Sequence, residues 1–279
     1  MSRTEEKNNI QIIQPSRGWR HIDLVELWRY RELLYFFTWR DIKVRYKQTA
    51  IGVVWAVLQP FLTMIIFSVF FGKFVQMPSD GVPYPIFVYA GLLPWTLFAQ
   101  SLSRCSESVV SSSHLIQKVY FPRLITPVSA SFGALVDFFI SFVILVLMMM
   151  YYKVAVMGMI ILLPFLVLLA FACSVGLGLW LSALNVMYRD VRYVVPFVVQ
   201  LGMFMTPVIY PASVVPAKYH WILYFNPMAG VVESFRAVLL GHKDIPVLGL
   251  TLAFFMTFFF FVSGLYFFRR LERRFADVI

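Results

Sequence analysis

The chain has 279 residues, of which 60% are hydrophobic, 18% aromatic and only 14% charged, and its mean hydropathy is +0.77. A soluble domain is about half apolar and about a quarter charged, so this chain has too few charges to cover a surface in contact with water. Composition therefore excludes a soluble enzyme and a disordered protein, and it predicts an all-α integral membrane protein. The net charge of +10 fits either a nucleic-acid-binding face or the cytoplasmic loops of a multispanning protein. Because the charges lie between apolar segments, we favour the loops and expect no nucleic-acid partner.

Six apolar segments are candidates to cross a bilayer core of about 30 Å. In chain order they are Ala50–Phe71, about Pro85–Leu102, Thr126–Tyr152, Val154–Met187, a segment from near Val194 that Pro207, Pro211 and Pro216 interrupt, and Ile245–Phe268. The fourth segment is long enough to include its own turn. Between the last two, Lys218–His242 is too short and too polar to cross twice, which predicts a short external helical hairpin that dips into the membrane before the last span.

The basic residues are distributed unevenly among the connecting segments. With both termini in the cytoplasm, the cytoplasmic segments hold 19 Lys and Arg, and the external segments hold five. Those five are Lys73, Lys153, Lys218, Arg236 and Lys243. Because cytoplasmic loops carry an excess of Lys and Arg, the sequence predicts six transmembrane helices with both termini cytoplasmic. We expect one domain over residues 1–279, with an N-terminal region 1–48, a bundle 50–268 and a cytoplasmic tail 269–279.

Two amphipathic helices are predicted before the first span, in Asp23–Phe37 and Thr38–Gln48. The apolar face of the first contains Leu24, Leu27, Trp28, Leu34 and Tyr35, and that of the second contains Trp39, Ile42 and Tyr46 beside Arg40, Lys43 and Lys47. Helices of this kind lie in the inner headgroup layer of a membrane. The alternative is a solvated helix that packs on a partner protein.

Asp137 is the one ionisable residue deep within a predicted span. An intramembrane carboxylate is a candidate functional site, for example a proton carrier in a transporter. No second acidic residue, His or Lys lies near it in the sequence. This favours a structural Asp137 that is hydrogen-bonded inside the bundle.

The chain lacks the motifs of nucleotide, zinc and catalytic sites. It contains no GxxxxGK[ST] phosphate loop, no HExxH and no CxxC, and its four histidines are scattered. Gly176-Leu-Gly178 lies inside an apolar segment, which favours close helix packing over a dinucleotide loop. We therefore expect no catalytic residue, metal or cofactor on this chain.

The segment Ser111–Arg123 predicts a short amphipathic helix, Ser113–Phe121, that Pro122 ends. Exposed Tyr120 and Phe121 would suit docking into a partner protein, and a simple connector is the alternative. The candidate docking residues are Leu115, Ile116, Lys118, Tyr120, Phe121 and Arg123.

Several motifs, in order from Trp28 onward, resemble the permease subunit of type 2 ABC exporters for cell-surface polysaccharides. They are Trp39–Thr49, Gly52–Trp55, Gln59-Pro60, Gly91–Trp95, Lys118–Arg123, Asn185–Arg192, Asn226–Met228 and Phe275–Asp277. The O-antigen exporting branch fits best, although capsule and teichoic-acid exporters share much of the pattern. The resemblance is specific for the family and not for the glycan.

The resemblance implies a homodimer in the bacterial cytoplasmic (inner) membrane that works with two copies of a cytoplasmic ABC ATPase. That partner would bind ATP and Mg, and the transported molecule would be a lipid-linked polysaccharide. Ser111–Arg123 would contain the coupling helix, and Asp23–Gln48 would form interfacial and gate helices. The gate candidates are Trp28, Trp39, Arg40, Lys43, Arg45 and Lys47, and the outer-gate candidates within 218–242 are Asn226, Glu233 and Arg236.

The resemblance also implies a channel at the dimer interface, lined mainly by spans one and five. Aromatic faces would let a glycan slide without fixed hydrogen bonds. The candidates are Trp55, Phe67, Phe70, Phe71, Phe74, Phe197, Phe204 and Tyr210. For most of them the alternative is an ordinary core or lipid-facing side chain.

Three other functions compete with polysaccharide export. An ABC exporter of drugs or small lipids shares the six-span architecture. A membrane-embedded acyl- or glycosyltransferase needs a catalytic constellation, which the sequence lacks. A proton-coupled flippase would depend on Asp137 alone.

Overall fold

The computed structural model describes residues 28–47, 52–154, 158–241 and 244–275. Within these residues every regular element is a helix, as the composition predicts. The α-helices are, in chain order, α1 (Arg31–Lys47), α2 (Gly52–Phe67), α3 (Tyr84–Ser111), α4 (Ser113–Lys118), α5 (Ile125–Tyr151), α6 (Leu163–Met187), α7 (Val191–Met205), α8 (His220–Tyr224), α9 (Pro227–Leu240) and α10 (Val247–Leu271).

Five helical segments among the described residues are long and apolar enough to cross a membrane. They are Val54–Phe74, Tyr84–Ser111, Ile125–Tyr151, Met159–Met187 and Val247–Arg274, and they match predicted spans one to four and six. The first includes a π-helical segment, Ser68–Phe74, and the fourth begins in a 3₁₀ turn, Gly158–Leu162. The chain is therefore a multi-pass membrane protein.

Helix α7, in the place of the predicted fifth span, is shorter than the others. It has 15 residues, which at ~1.5 Å per residue is about 22 Å, less than the ~30 Å bilayer core. The helix ends at Met205, directly before Thr206-Pro207, because proline has no N–H to continue the helical hydrogen bonds. The predicted interruption by proline is confirmed.

Helix α3 is the centre of the bundle, because it is buried over most of its length and packs against both α5 and α6. At Gly178 of α6, an added Cβ would lie 2.6 Å from the sulfur of Cys105 on α3. At Gly176, it would lie 2.6 Å from the backbone nitrogen of Phe261 on α10. Only glycine fits such close approaches, so the prediction that Gly176-Leu-Gly178 serves helix packing is confirmed.

The two ends of the bundle are distinguished by their short helices. At the α4 end, α3 finishes, α4 follows and α5 begins. At the other end, called the hairpin end, the short helices α8 and α9 occupy the place of the predicted hairpin, and α9 packs against α3. Every residue of α9 except Glu233 is buried.

Helix α1 differs from the prediction in extent and orientation. It is one continuous helix where two were predicted; residues 23–27 and 48 lie outside the described part of the chain. It packs along α5; of the predicted apolar faces, Leu34 packs against the core, whereas Trp28, Tyr35 and Trp39 are exposed. The residues of α1 that reach the bundle include Arg45 and Tyr46, which bond to a buried carboxylate.

Candidate functional site

A cavity with a volume of about 1050 Å³ lies among α1, α2, α3, α5 and α7. Along α3 it extends from Leu92 to Ser111, which is about 28 Å at ~1.5 Å per residue. The lining also includes Ser112, so the cavity reaches the α4 end of α3.

A stripe of polar side chains on α3 lines the cavity. Thr96, Gln100, Ser103 and Glu107 recur at three- and four-residue intervals, so they share one face of the helix. Sequence reasoning missed this stripe, although the spacing was visible within an otherwise apolar span.

Other helices complete the polar lining. Gln59 and Thr63 of α2 and Gln200 of α7 contribute amide and hydroxyl groups, and Trp55 and Trp95 contribute aromatic surface. An exposed amide such as Gln59 is costly against hydrocarbon, because nothing there replaces its hydrogen bonds to water. The composition of the wall therefore suits water or a hydroxyl-rich molecule rather than lipid tails.

Asp137 on α5 lies behind the cavity wall and accepts bonds from two other helices. Its Oδ2 is 2.7 Å from Arg45 Nη1 of α1 and 2.6 Å from Arg104 Nη2 of α3. Its Oδ1 accepts a hydrogen bond from the Tyr46 hydroxyl. Gly133, one turn before Asp137, leaves room for the Arg104 guanidinium, which an added Cβ there would meet. The prediction of a hydrogen-bonded Asp137 within the bundle is confirmed.

The Tyr46 hydroxyl is held in its protonated form. Burial raises its pKa above the ordinary value of tyrosine, and the hydrogen bond to the Asp137 carboxylate raises it further. Tyr46 therefore remains a donor to Asp137 at neutral pH. With Arg45 it fixes the end of α1 to α5.

The gate candidates on α1 divide into two sets. Arg40 and Arg45 line the cavity, and Arg40 also pairs with Asp41 at 2.8 Å. Trp28, Trp39, Lys43 and Lys47 are exposed and do not line the cavity.

The aromatic channel candidates lie in different environments. Trp55 lines the cavity, whereas the other seven do not. Phe70 and Phe74 of the π-helical segment and Phe197 and Phe204 of α7 are exposed, and Phe67, Phe71 and Tyr210 are half-buried.

The segment Ser111–Arg123 differs from its prediction in two respects. Helix α4 ends at Lys118 rather than Phe121, because Val119 is extended. The predicted exposure holds for Tyr120, which is 70% exposed, and is wrong for Phe121, which is 5% exposed. The Phe121 ring packs edge-to-face on Phe37 of α1 at 5.5 Å.

The remaining docking candidates also divide between the two sides of this segment. Ile116 is buried in the bundle, whereas Leu115 and Lys118 are exposed. The Arg123 guanidinium donates to the backbone carbonyl of Glu272, beyond the end of α10. Of the docking candidates, Leu115, Lys118 and Tyr120 therefore lie on the exposed surface of the segment.

Arg236, one of the outer-gate candidates, bonds to the residues that follow α7. Arg236 of α9 donates to the carbonyl oxygens of Phe87, Pro207 and Val208, and its guanidinium lies 3.7 Å from the centre of the Phe87 ring. Gly91 of α3 makes the space, because an added Cβ would overlap the guanidinium. The carbonyls that Pro207 leaves outside a helix are thus satisfied within the protein.

Asn226 and Glu233 bond within the hairpin end. Asn226 caps α9 by accepting from the Met228 backbone N–H at 3.1 Å, and its Nδ2 donates to Thr206 Oγ1 at 2.8 Å. Glu233 accepts from the Tyr224 hydroxyl at 2.8 Å and lines, with Arg236, a second cavity of about 270 Å³.

Comparison with known proteins identifies the family. The model of the ABC-2 type transporter family matches residues 32–240, about three quarters of the chain. The chain is 29% identical over 255 residues to the "O-antigen export system permease protein RfbA" of Klebsiella pneumoniae, covering 89% of this chain and 95% of that protein. It is 30% identical over 220 residues to the protein of that name from Myxococcus xanthus, covering 78% and 84%.

A third relative is named for a different substrate. The "Polysialic acid transport protein KpsM" of Escherichia coli is 25% identical over 212 residues, covering 73% of this chain and 80% of that protein. The matched region contains the whole cavity lining and the segment Ser111–Arg123. The chain therefore belongs to the ABC-2 type transporter family, as its resemblance to ABC export permeases predicted.

Proposed function

We propose that this chain is the permease subunit of an ABC exporter that moves a lipid-linked, O-antigen-like polysaccharide across the bacterial cytoplasmic membrane. The observation that carries the proposal is the polar cavity of about 1050 Å³, which extends along α3 from Leu92 to Ser111. Its amides, hydroxyls and tryptophans offer hydrogen bonds and stacking faces to sugars. The O-antigen export permeases cover more of this chain, at higher identity, than the polysialic acid transport protein.

The proposed topology has six spans with both termini in the cytoplasm. The long apolar helices supply spans one to four and six, and span five combines α7 with the non-helical residues after it. Non-helical backbone is tolerated at membrane depth where protein satisfies it, and Arg236 supplies donors to that stretch. The excess of Lys and Arg at the α4 end supports a cytoplasmic position for it, with α1 as the interfacial and gate helix.

The proposed assembly is a homodimer whose channel is closed by the second copy. In one chain, α2, the π-helical segment after it and α7 expose Trp55, Phe70, Phe74, Phe197 and Phe204, and Trp55 lines the polar cavity. A second copy related by twofold symmetry would enclose the two cavities between these helices. The aromatic side chains would then border a polar path.

The energy source is proposed to lie on a separate protein. The sequence has no phosphate loop, so we assign ATP and Mg to two copies of a cytoplasmic ABC ATPase. Tyr120, 70% exposed beside α4, is the proposed anchor for that partner, because exposed aromatics commonly supply the energy of an interface.

Two alternatives remain as outcomes of the tests. An exporter of capsule, teichoic acid, drugs or lipids would share the fold and the ATPase but not the dependence on this glycan. A proton-coupled flippase would need Asp137 to release its proton in each cycle. Arg45, Arg104 and Tyr46 instead bond to Asp137 in a cluster that joins three helices, which favours a structural role.

The test begins with purification of the permease together with the ATPase encoded beside it. We expect a stable complex whose ATP hydrolysis responds to lipid-linked glycan. Thr96→Trp would place a large ring in the cavity wall, and we expect loss of surface polysaccharide with normal ATPase association. Thr251→Trp adds the same ring to an exposed site on α10 and is the control. Equal export by both variants would contradict the assignment of the cavity as the channel.

A further inference from the structure

The end of α10 is bonded to the segment that follows α4. Beyond α10 the chain forms a 3₁₀ turn, Glu272–Arg274. The backbone N–H of Arg123 donates to Glu272 Oε1 at 3.2 Å, and the Arg123 guanidinium donates to the Glu272 carbonyl oxygen. Glu272 also pairs with Arg269 at 3.4 Å. A single residue of the tail thus contacts both the main chain and the side chain of Arg123.

This tail turn is fixed to the bundle. Phe275, directly after the turn, and Phe268 of α10 are both fully buried, with ring centres 5.3 Å apart in an edge-to-face arrangement. Glu272 lies between them in the chain, so it cannot move independently of α10. Its bonds to Arg123 are therefore bonds between the α4 segment and the last helix.

Helices α10 and α6 pack closely enough to move as one body. A side chain at Gly264 of α10 would overlap the carbonyl oxygen of Gly176 on α6. One turn nearer the α4 end, the rings of Trp180 and Phe267 are stacked at 4.3 Å. Trp180 Nε1 also donates to Ser263 Oγ at 3.2 Å. Tight packing of this kind transmits displacement rather than absorbing it.

The segment that follows α4 makes a second contact through Phe121, two residues before Arg123, and this contact is apolar. The Phe121 ring packs on the Phe37 ring of α1, with ring centres 5.5 Å apart. Apolar contact is not directional and lets two surfaces slide, whereas the hydrogen bonds to Glu272 fix both distance and angle. The segment is therefore held to α1 by apolar packing and to α10 by directional hydrogen bonds.

We propose that Glu272 is a positioning residue that holds the α4 segment to α10, so that displacement of this segment by the ATPase moves α6 and α10 together relative to α1. The proposal rests on the proposed function, in which this segment contacts an ATPase. Glu272 acts through Arg123 and touches neither glycan nor nucleotide. When the Glu272 side chain is lost, ATP hydrolysis continues but drives less transport.

The experiment compares Glu272→Ala, Glu272→Gln and Arg274→Ala in the permease co-expressed with its ATPase. Glutamine keeps an oxygen that accepts from the Arg123 N–H, alanine removes it, and Arg274 is an exposed neighbour in the same turn. For each variant, permease in the membrane, ATPase co-purification, ATP hydrolysis and surface polysaccharide are measured. We expect Glu272→Ala to keep the complex and its hydrolysis while export falls about tenfold, the scale of one lost hydrogen bond. Glu272→Gln should retain most export, and Arg274→Ala should match the wild type.

Three results overturn the proposal while leaving the proposed function intact. They are wild-type export by Glu272→Ala, equal loss of export by the Ala and Gln variants at normal membrane levels, and loss of ATPase association by Glu272→Ala. If instead the wild-type permease neither binds the ATPase nor exports polysaccharide, the proposed function itself fails.

Discussion

The two ends of the bundle bury charge in different ways. At the α4 end, Asp137 bonds to side chains of α1 and α3, and its partners Arg45 and Arg104 keep 34% and 24% of their side-chain surface exposed. At the hairpin end, Arg236 is 7% exposed and bonds to backbone carbonyls. Water can hydrate the two arginines if α1 moves, but three carbonyls would lose their partner if Arg236 moved. The α4 end can therefore rearrange at lower cost than the hairpin end.

The strongest test of this comparison is Arg236→Met, which removes the donors and keeps an unbranched side chain. We expect the folded state to lose more than about 4 kcal/mol, because several buried carbonyls are left unsatisfied. The measurement is membrane abundance and thermal unfolding in detergent, with exposed Lys218→Met as the control. A normal melting temperature for Arg236→Met would show that the hairpin end is not held by this arginine.

At the α4 end, Phe121→Ala should have the next largest effect. Removing a buried phenylalanine ring costs about 3 kcal/mol or more, and the contact with Phe37 of α1 would be lost. We expect a lower melting temperature of the permease purified without any ATPase. An unchanged melting temperature would mean that α1 does not depend on this segment.

Tyr120→Ala is the outward-facing counterpart of that change. Because Tyr120 is exposed, the permease alone should melt normally, while association with the ATPase weakens by about 2 kcal/mol, or ~30-fold. Lys118→Ala on the same surface should cost only ~0–1 kcal/mol. Binding of the purified ATPase to each variant measures both values, and wild-type affinity for Tyr120→Ala would move the docking surface elsewhere.

Asp137→Asn should have the smallest effect of the four. The amide oxygen still accepts from Tyr46, and Arg45 and Arg104, which lose their carboxylate, are partly exposed to water, so we expect a loss of about 1–2 kcal/mol in stability and retention of most export. Glu107→Gln, an exposed carboxylate in the same cavity, is the matched control. A normally folded Asp137→Asn that exports nothing would instead support proton coupling, since an amide cannot carry a proton.

Features that depend on the local sequence pattern were predicted correctly. The apolar segments, the interruption at Pro207 and the close approach at Gly176 follow from composition and spacing within a few turns of helix. The prediction for Phe121 was wrong, because an aromatic side chain near a helix end looks the same in sequence whether it faces a partner protein or another helix of its own chain.

The sequence alone determined that this is a helical membrane protein and where its long helices lie. These conclusions depend on hydropathy, periodicity and short motifs. The tertiary structure decided which groups meet: Tyr46 with Asp137 across 91 positions, Arg236 with Phe87 across 149, and Arg123 with Glu272 across 149. It also decided that the polar stripe of α3 faces a cavity. Such contacts depend on how helices pack, and no local pattern specifies the partner of a side chain that lies on a distant helix.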